Sequence, residues 1–122
     1  MNKKIFLALP LCILAFQGTS EVTAQNNCVQ QTIPAACSGG GRITINNNTK
    51  NVSPPNLCAT PGQTIQVNVV PGGSARIAGK NGGWPSESGS SFSITAPGSG
   101  NYDYNVYFDD GSCLDPRISV GG

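Results

Sequence analysis

Cysteine provides the most reactive side chains in this sequence, because the chain has five cysteines and no histidine. Histidine is the commonest general base and the commonest metal ligand in proteins. A nucleophile activated in the manner of a Ser-His-Asp triad is therefore excluded. Charged side chains make up 11% of the residues, against about a quarter in an average soluble domain. We predict that the protein is not an enzyme and that it binds no cofactor.

Four of the cysteines, Cys28, Cys37, Cys58 and Cys113, follow residue 24. An even number of cysteines in a short exported chain indicates two disulfide bonds, which can form in three pairings. A zinc site with four cysteine ligands is the alternative, and such a site brings its ligands in close pairs. Here the successive cysteines are 9, 21 and 55 positions apart, so the spacing favours disulfides.

Residues 1–24 have the organisation of a secretory signal peptide. Two lysines provide the positive start, and an apolar run extends from Ile5 to Phe16. Small residues precede Ala24, after which we place the cleavage. The mature protein, residues 25–122, is therefore predicted to be secreted or periplasmic, with no remaining membrane span.

Three other interpretations of this segment differ in how the chain would be cleaved or attached to a membrane. A cut after Ser20 is the second choice for the cleavage. A membrane span is disfavoured, because the apolar run has twelve residues and a spanning helix needs about 20. A lipoprotein would carry its acyl chain on Cys12, but Leu11 stands before it, where a small residue is expected.

The predicted mature chain has no net charge, because its five cationic and five anionic side chains balance. Such a surface has no long-range field to steer a charged partner. Domains that bind nucleic acids carry clusters of lysine and arginine, and this sequence has none. We therefore predict no nucleic-acid partner.

The mature chain divides into two parts by its pattern of side chains. Residues 25–41 show no periodicity and end in three glycines, which indicates an irregular N-terminal arm followed by a joint. Residues 42–122 alternate polar and apolar side chains between turn sequences such as Asp110-Gly111. This alternation is typical of antiparallel sheets with one face on a core. We predict an all-β fold, a Greek-key β-sandwich of about seven strands.

The phase of the alternation predicts both the strands and the core. The predicted strands are Arg42–Asn46, Asn56–Ala59, Thr64–Val70, Ala75–Ala78, Ser91–Thr95, Tyr102–Phe108 and Ile118–Val120. The side chains expected to face inward are Ile43, Ile45, Leu57, Ile65, Val67, Val69, Ile77, Phe92, Ile94, Tyr104, Val106, Phe108, Ile118 and Val120. Burial of this core stabilises the fold by less than the entropic cost of ordering the chain. The disulfides are therefore expected to contribute to stability.

Three carboxylates, Asp109, Asp110 and Asp115, cluster around a predicted turn. Carboxylates and carbonyls in one loop are the ligands of calcium. The simpler interpretation is a solvated hairpin turn, because Asp-Gly is a common hairpin dipeptide. We favour the turn over the calcium site.

Two aromatic residues, Trp84 and Tyr107, are candidates for binding a partner. Trp84 is the only tryptophan and follows two glycines in a predicted loop. A tryptophan in a loop can stack on a sugar or anchor a protein partner. Alternatively, it closes one end of the sandwich. Tyr107 lies on the polar side of its strand and would add to an exposed aromatic patch.

The order of the segments in residues 42–120 resembles the cupredoxin, or blue-copper, family. Six segments carry the resemblance: Ile43-Thr44-Ile45-Asn46, Val52-Ser53-Pro54-Pro55, Thr60-Pro61-Gly62-Gln63-Thr64-Ile65, Phe92-Ser93-Ile94-Thr95-Ala96-Pro97, Gly100-Asn101-Tyr102-Asp103-Tyr104-Asn105-Val106 and Leu114-Asp115-Pro116-Arg117-Ile118-Ser119-Val120. An immunoglobulin-like or fibronectin-like sandwich is the alternative, in which Tyr102 would serve as a tyrosine corner.

The resemblance implies a copper site, but this sequence lacks the ligands for it. A blue-copper centre uses two imidazoles and a thiolate, usually with an axial thioether. The chain has no histidine, and its only methionine is Met1. The family's thiolate would fall near Phe108-Asp109-Asp110, where no sulfur stands. We therefore expect a copper-free relative with no metal site.

The resemblance also favours one disulfide pairing. In the family the last strand lies near the segment that begins here at Asn56, which would bring Cys113 toward Cys58. The favoured pairing is therefore Cys58–Cys113 together with Cys28–Cys37, so that the second bond closes the N-terminal arm on itself.

These observations lead to one functional expectation and one alternative. We expect a non-catalytic module, either structural or binding a protein or glycan partner through loops such as 81–91. The alternative is a metal-binding or electron-transfer protein related to the cupredoxins.

Overall fold

The structure is a computed structural model, and it describes residues 28–80 and 83–121. The predicted signal peptide, its cleavage site and Cys12 lie outside these residues. No helix in the described part of the chain has the length and apolar character needed to cross a membrane.

In the described part of the chain, eleven strands form two sheets that pack face to face. The strands are β1 (Val29–Gln30), β2 (Arg42–Asn46), β3 (Asn51–Ser53), β4 (Asn56–Ala59), β5 (Thr64–Val70), β6 (Ala75–Gly79), β7 (Ser86–Gly89), β8 (Ser91–Thr95), β9 (Gly100–Phe108), β10 (Cys113–Asp115) and β11 (Arg117–Val120). All seven predicted strands are present, and β1, β3, β7 and β10 are additional.

The smaller sheet has four strands in the order β3-β2-β5-β8. Its central strand β5 buries Ile65, Val67 and Val69 on one face and leaves Gln66 and Asn68 on the other. This is the result of the period-two sequence, because successive side chains of a strand point to opposite faces. Strands β2 and β5 run parallel to each other.

The larger sheet has seven strands and is organised around β9, its longest member. One edge of β9 pairs with β6, which in turn pairs with β7. The other edge pairs with β11 near its start and with β10 near its end. Strand β4 lies parallel to β11, and β1 lies parallel to β10.

Both sheets are therefore mixed, and the prediction of antiparallel sheets was wrong for three strand pairs. The pairs β2–β5, β4–β11 and β1–β10 are parallel. Half-buried strands with a polar outer face alternate in the same way whether their neighbours are parallel or antiparallel, so the pattern could not distinguish the two. Immunoglobulin-type sandwiches consist of antiparallel sheets, and the parallel pairs therefore argue against that alternative.

The predicted core is confirmed for all but one of its side chains. Phe92 is only partly buried, because β8 is an edge strand and packs against the margin of the core. The core also contains Val52, Ala59, Ala75, Ala96 and Leu114, which the pattern did not identify.

Tyr102 forms the contact expected of a tyrosine corner. Its hydroxyl donates a hydrogen bond of 2.7 Å to the carbonyl oxygen of Gly98. The tyrosine corner thus occurs here in a sandwich with parallel strand pairs, so this feature does not separate the two fold alternatives.

The disulfide pairing differs from the favoured one. Cys28 is bonded to Cys113, with their Cα atoms 4.7 Å apart, and Cys37 is bonded to Cys58, with Cα atoms 5.0 Å apart. Both bonds therefore tie the N-terminal arm to the sandwich, and neither closes the arm on itself.

The position of β10 explains why the favoured pairing was wrong. The last strand does lie beside β4, as the resemblance implied, but Cys58 there faces Ser119 of β11. Cys113 belongs to β10, where it faces Tyr107 of β9. Strand β10 borders β1, and this neighbour brings the arm cysteine Cys28 to Cys113.

Tyr104 should be replaceable by phenylalanine with a gain in stability. Its side chain is fully buried, and its hydroxyl has no hydrogen-bond partner among the described residues. The same burial raises the pKa of this phenol above its ordinary value. Because an unpaired buried hydroxyl is unfavourable, Tyr104→Phe should increase the free energy of unfolding by about 1 kcal/mol, measured by chemical denaturation. A loss of stability would show that the hydroxyl has a partner.

Candidate ligand-binding site

A groove lies on the outer face of the larger sheet, where β6 runs beside β9. It has a volume of about 410 Å³ and is lined by Ala78, Gly79, Lys80, Asn105 and Tyr107. Tyr107 is one of the two residues predicted to bind a partner, so the structure places one of them in a concave surface.

The alternation of β9 points the lining side chains outward. Tyr104, Val106 and Phe108 face the core, and Asn105 and Tyr107 therefore lie on the opposite face of the strand. On the neighbouring strand β6, Ala78 pairs with Asn105 and Arg76 pairs with Tyr107. The groove is concave because Ala78 and Gly79 are small beside these longer side chains.

The polar groups of the groove are fixed by mutual contacts. The side-chain amide of Asn105 donates a hydrogen bond of 3.0 Å to the hydroxyl of Tyr107. The guanidinium carbon of Arg76 lies 4.1 Å from the centroid of the Tyr107 ring, in a cation–π contact. Asn105 is buried, and its Oδ1 atom has no partner in the described part of the chain.

Two ion pairs lie beside the groove, one across β9 and one between β9 and β11. The Lys80 ammonium lies 2.7 Å from a carboxylate oxygen of Asp115. Nε of Arg117 lies 2.7 Å from Oδ1 of Asp103. The hydrogen bond that Arg117 donates to Asp103 and the charge of that carboxylate raise the pKa of Arg117. The two pairs hold their charges in place, although partly exposed pairs add little to stability.

Trp84 lies near the groove but packs against the core. Its ring makes an edge-to-face contact with Tyr102, with centroids 5.2 Å apart, and it is a partly buried neighbour of the core cluster. The amide of Gly79 donates a hydrogen bond of 2.6 Å to the carbonyl of Pro85, which docks the Trp84–Pro85 segment on the end of β6. Binding of a partner by Trp84 stays a prediction.

A second groove, of about 490 Å³, lies along β4 and β11 beside the Cys37–Cys58 disulfide. Its other polar lining residues are Thr60, Asn101 and Ser119, and it contains no charged side chain. The groove at Tyr107 combines an aromatic ring, an amide and a cation, so it is the stronger candidate for recognition of a polar ligand.

The three carboxylates considered for calcium do not converge. Asp115 pairs with Lys80, whereas Asp110 accepts hydrogen bonds from the hydroxyl and the amide of Ser112, at 2.6 and 2.9 Å. In residues 28–80 and 83–121, no three acidic, cysteine or histidine side chains are grouped to hold a metal ion. Asp109 and Asp110 lie in the turn after β9, as the simpler interpretation predicts.

The Ser112 contacts give the Asp110 turn a defined pH dependence. The pKa of Asp110 is lowered chiefly by the hydrogen bond that it accepts from the Ser112 hydroxyl. The hydrogen bond from the Ser112 amide and the charge of Lys50 lower it further. Because the folded pKa is depressed, this stabilisation is present above the ordinary carboxyl pKa and is lost as the pH falls through the folded one.

Replacing Ser112 by alanine should raise the pKa of Asp110 toward its ordinary value, measured by NMR titration of the carboxyl carbon. Ser74→Ala is the control, since Ser74 hydrogen-bonds to the neighbouring Asp109 instead. An equal rise in both variants would show that the Ser112 hydroxyl is not the cause.

The resemblance implies a metal-binding thiolate at one end of the sandwich. In this protein, aromatic, carboxylate and ammonium groups stand there instead. Phe108 is buried there and is followed by two exposed aspartates. The Lys50 ammonium lies 2.6 Å from the carbonyl oxygen of Asn47, 3.9 Å from Asp110 and 5.1 Å from the Phe108 ring centroid. Cys113 is bonded to Cys28. This donor set does not fit a blue-copper ion, and a side-chain cation lies at this end of the molecule.

Solved structures with a similar fold are cupredoxins. Amicyanin from Paracoccus versutus has a TM-score of 0.51 and 16% identity, over 73% of this chain and 85% of that one. A reduced Cu(I) form of an amicyanin variant has a TM-score of 0.50 and 17% identity, over 67% and 84% of the two chains. No protein-family model and no curated protein matches the sequence. The fold is thus that of the cupredoxins, as the resemblance predicted.

Proposed function

We propose that this cupredoxin-fold chain is an exported, non-catalytic binding module whose ligand site is the groove around Tyr107. The observation that carries the proposal is the convergence of an aromatic ring and an ammonium, from Tyr107 and Lys80, on one concave surface in which Asn105 holds the phenol in place. Ligand sites are typically concave and combine apolar surface with a few placed polar groups.

Export is supported by the two disulfide bonds and by the predicted signal peptide. Disulfides form and persist in oxidising compartments such as the periplasm and the cell exterior. Both bonds link distant parts of the chain, with sequence separations of 85 and 21 residues. The disulfides fit an oxidising compartment, and export to the periplasm or beyond is part of the proposal.

A glycan is the class of ligand that this surface fits best. Sugars present hydroxyls around an apolar ring face, and an aromatic ring beside hydrogen-bonding groups complements both features. The register of β7 adds Ser86 and Ser88 to the same outer face, because they pair with Ala78 and Arg76. The surface around the groove is thus rich in hydroxyl and amide groups.

The proposal is tested by mapping ligand contacts on the isotopically labelled mature protein. Soluble glycans are screened as mixtures, and the perturbed backbone amides are identified by NMR. We expect the perturbations to cluster at residues 78–80 and 105–107, and Tyr107→Ala to abolish them. Gln66→Ala, on the outer face of the smaller sheet, is the matched control. Perturbations centred on Trp84 with none at residues 78–80 and 105–107, or no perturbation at all, would contradict the proposed site.

A further inference from the structure

We propose that the ligand of the Tyr107 groove is an acidic saccharide, whose carboxylate binds Arg76 beside the Tyr107 ring while its hydroxyls lie along the groove toward Lys80. This inference rests on the proposed function and specifies the chemistry of the same site. It follows from a comparison of the hydrogen-bond donors and acceptors that the groove presents.

The groove offers donors in excess. The Tyr107 oxygen accepts the Asn105 amide, so the phenolic hydrogen is free to donate to a ligand. The Lys80 ammonium carries three hydrogens, its carboxylate partner is Asp115, and 38% of its side chain is exposed. These groups complement a ligand that brings oxygen acceptors.

Acceptors in the groove are correspondingly few. Asn105 Oδ1 has no hydrogen-bond partner among the described residues, but it is buried beneath the surface and out of reach of a bound ligand. The Asp115 carboxylate already accepts from Lys80, and only 12% of its side chain is exposed. Among the described residues, the acceptors left for a ligand are therefore uncharged hydroxyls such as those of Ser86 and Ser88, so the groove favours a ligand that mainly accepts hydrogen bonds.

Arg76 supplies a positioned charge at the rim of the groove. It forms no salt bridge within the described residues, and its guanidinium is held over the Tyr107 ring. A planar guanidinium can bind a carboxylate through two parallel hydrogen bonds. The nearest acidic residue on β7, Glu87, pairs with the core residue Ile77 and so points to the other face of the sheet.

The pairing of the strands favours a saccharide over an acidic peptide. An extended peptide commonly binds by adding a strand to an open sheet edge. Strand β6 is paired on both sides, by β7 and β9, and β9 is paired on both sides by β6 and by β10 with β11. The groove therefore offers side chains and no free main-chain edge, which suits a ring-shaped ligand with hydroxyls.

The inference is tested by calorimetric titration of the mature protein with an oligogalacturonate and with its methyl ester. The two probes share the sugar ring and differ only in the charge of the carboxyl group. We expect the acid form to bind at least about tenfold more tightly than the ester, and its affinity to fall as salt is added, because exposed charges are screened.

Two variants test the charge and the phenolic donor separately. Arg76→Gln should weaken binding of the oligogalacturonate by about tenfold, and Tyr107→Phe should weaken it by removing the phenolic donor. Arg42→Gln is the matched control, since Arg42 is also an exposed strand arginine but lies on the smaller sheet; it should bind like the wild type. If Arg76→Gln does not fold, Tyr107→Phe carries the test.

The remaining outcomes separate this inference from the proposed function. Equal binding of acid and ester, or an unchanged affinity in both Arg76→Gln and Tyr107→Phe, would overturn the acidic ligand. Tight binding of an oligoglutamate that depends on Arg76 would overturn the saccharide. If neutral glycans perturb the groove amides but oligogalacturonate does not bind, the inference fails and the proposed function stands. If no glycan perturbs them, both fail.

Discussion

Replacing Cys28 and Cys113 together by alanine should lower the free energy of unfolding by about 4.5 kcal/mol. This disulfide closes a loop of 85 residues, and a cross-link stabilises mainly by restricting the unfolded chain, more so for a longer loop. A small domain is typically stable by about 5–15 kcal/mol, so the variant should approach the limit of stability. Chemical denaturation of the unreduced protein measures the loss.

The second disulfide provides the matched comparison. The Cys37–Cys58 bond closes only 21 residues, and its removal should cost about 3.3 kcal/mol on the same relation. The expected order is therefore a larger loss for the Cys28–Cys113 pair. An equal or reversed order would show that contacts of the folded arm, rather than chain entropy, determine the contribution of each bond.

Peptide mapping of the unreduced protein checks the pairing itself. Trypsin leaves Cys28 and Cys37 in one peptide, because no lysine or arginine stands between them. The observed pairing joins this peptide to those that contain Cys58 and Cys113, whereas the pairing favoured from the resemblance would leave it unlinked to either. A further cut with elastase after Ala35, which lies between the two cysteines, distinguishes the observed pairing from the third possibility.

Replacing Gly79 by alanine should lower the free energy of unfolding by about 3 kcal/mol. A Cβ atom at this position would overlap the carbonyl group of Trp84 and lie 2.8 Å from the Trp84 nitrogen. These are backbone atoms, so no side-chain rotation can relieve the overlap. The Trp84–Pro85 segment would have to leave the end of β6, together with the hydrogen bond from Gly79 to Pro85.

Gly72→Ala is the control for this substitution. A Cβ atom at Gly72 would have no heavy atom within 4 Å, and the residue is exposed, so its replacement should change stability by less than about 0.5 kcal/mol. Thermal unfolding of both variants compares the two sites. Similar melting temperatures would mean that the Trp84 segment can move away from β6 at little cost.

The sequence predicted those strands whose two faces differ. In β5 the alternation of Ile65, Val67 and Val69 with polar residues states which face is buried, and the structure agrees. Strand β7 carries Ser86, Glu87 and Ser88, all exposed. This strand is held by backbone pairing with β6. Because backbone hydrogen bonds do not require any pattern of polar and apolar side chains, the sequence did not predict the strand.

The groove could not be predicted because it depends on pairing between distant segments. Tyr107 was identified from its position on the polar side of β9, but Arg76 and Lys80 reach it only because β6 lies beside β9 in one particular register. Asn56 illustrates the same limit. This buried side-chain amide donates a hydrogen bond to the carbonyl oxygen of Pro34 and accepts one from the hydroxyl of Ser119, 63 positions away. A local sequence pattern cannot predict such distant partners.

The nested connectivity of the disulfides has a consequence for how the chain is oxidised. A polypeptide that crosses a membrane from its N-terminus would expose Cys28 and Cys37 together, long before Cys113 follows. These first two thiols, only nine positions apart, would be free to join each other while neither native partner has emerged. If the chain is exported as proposed, correct oxidation would require that premature bond to be avoided or exchanged, so the yield of protein with the native disulfides should depend on a disulfide isomerase.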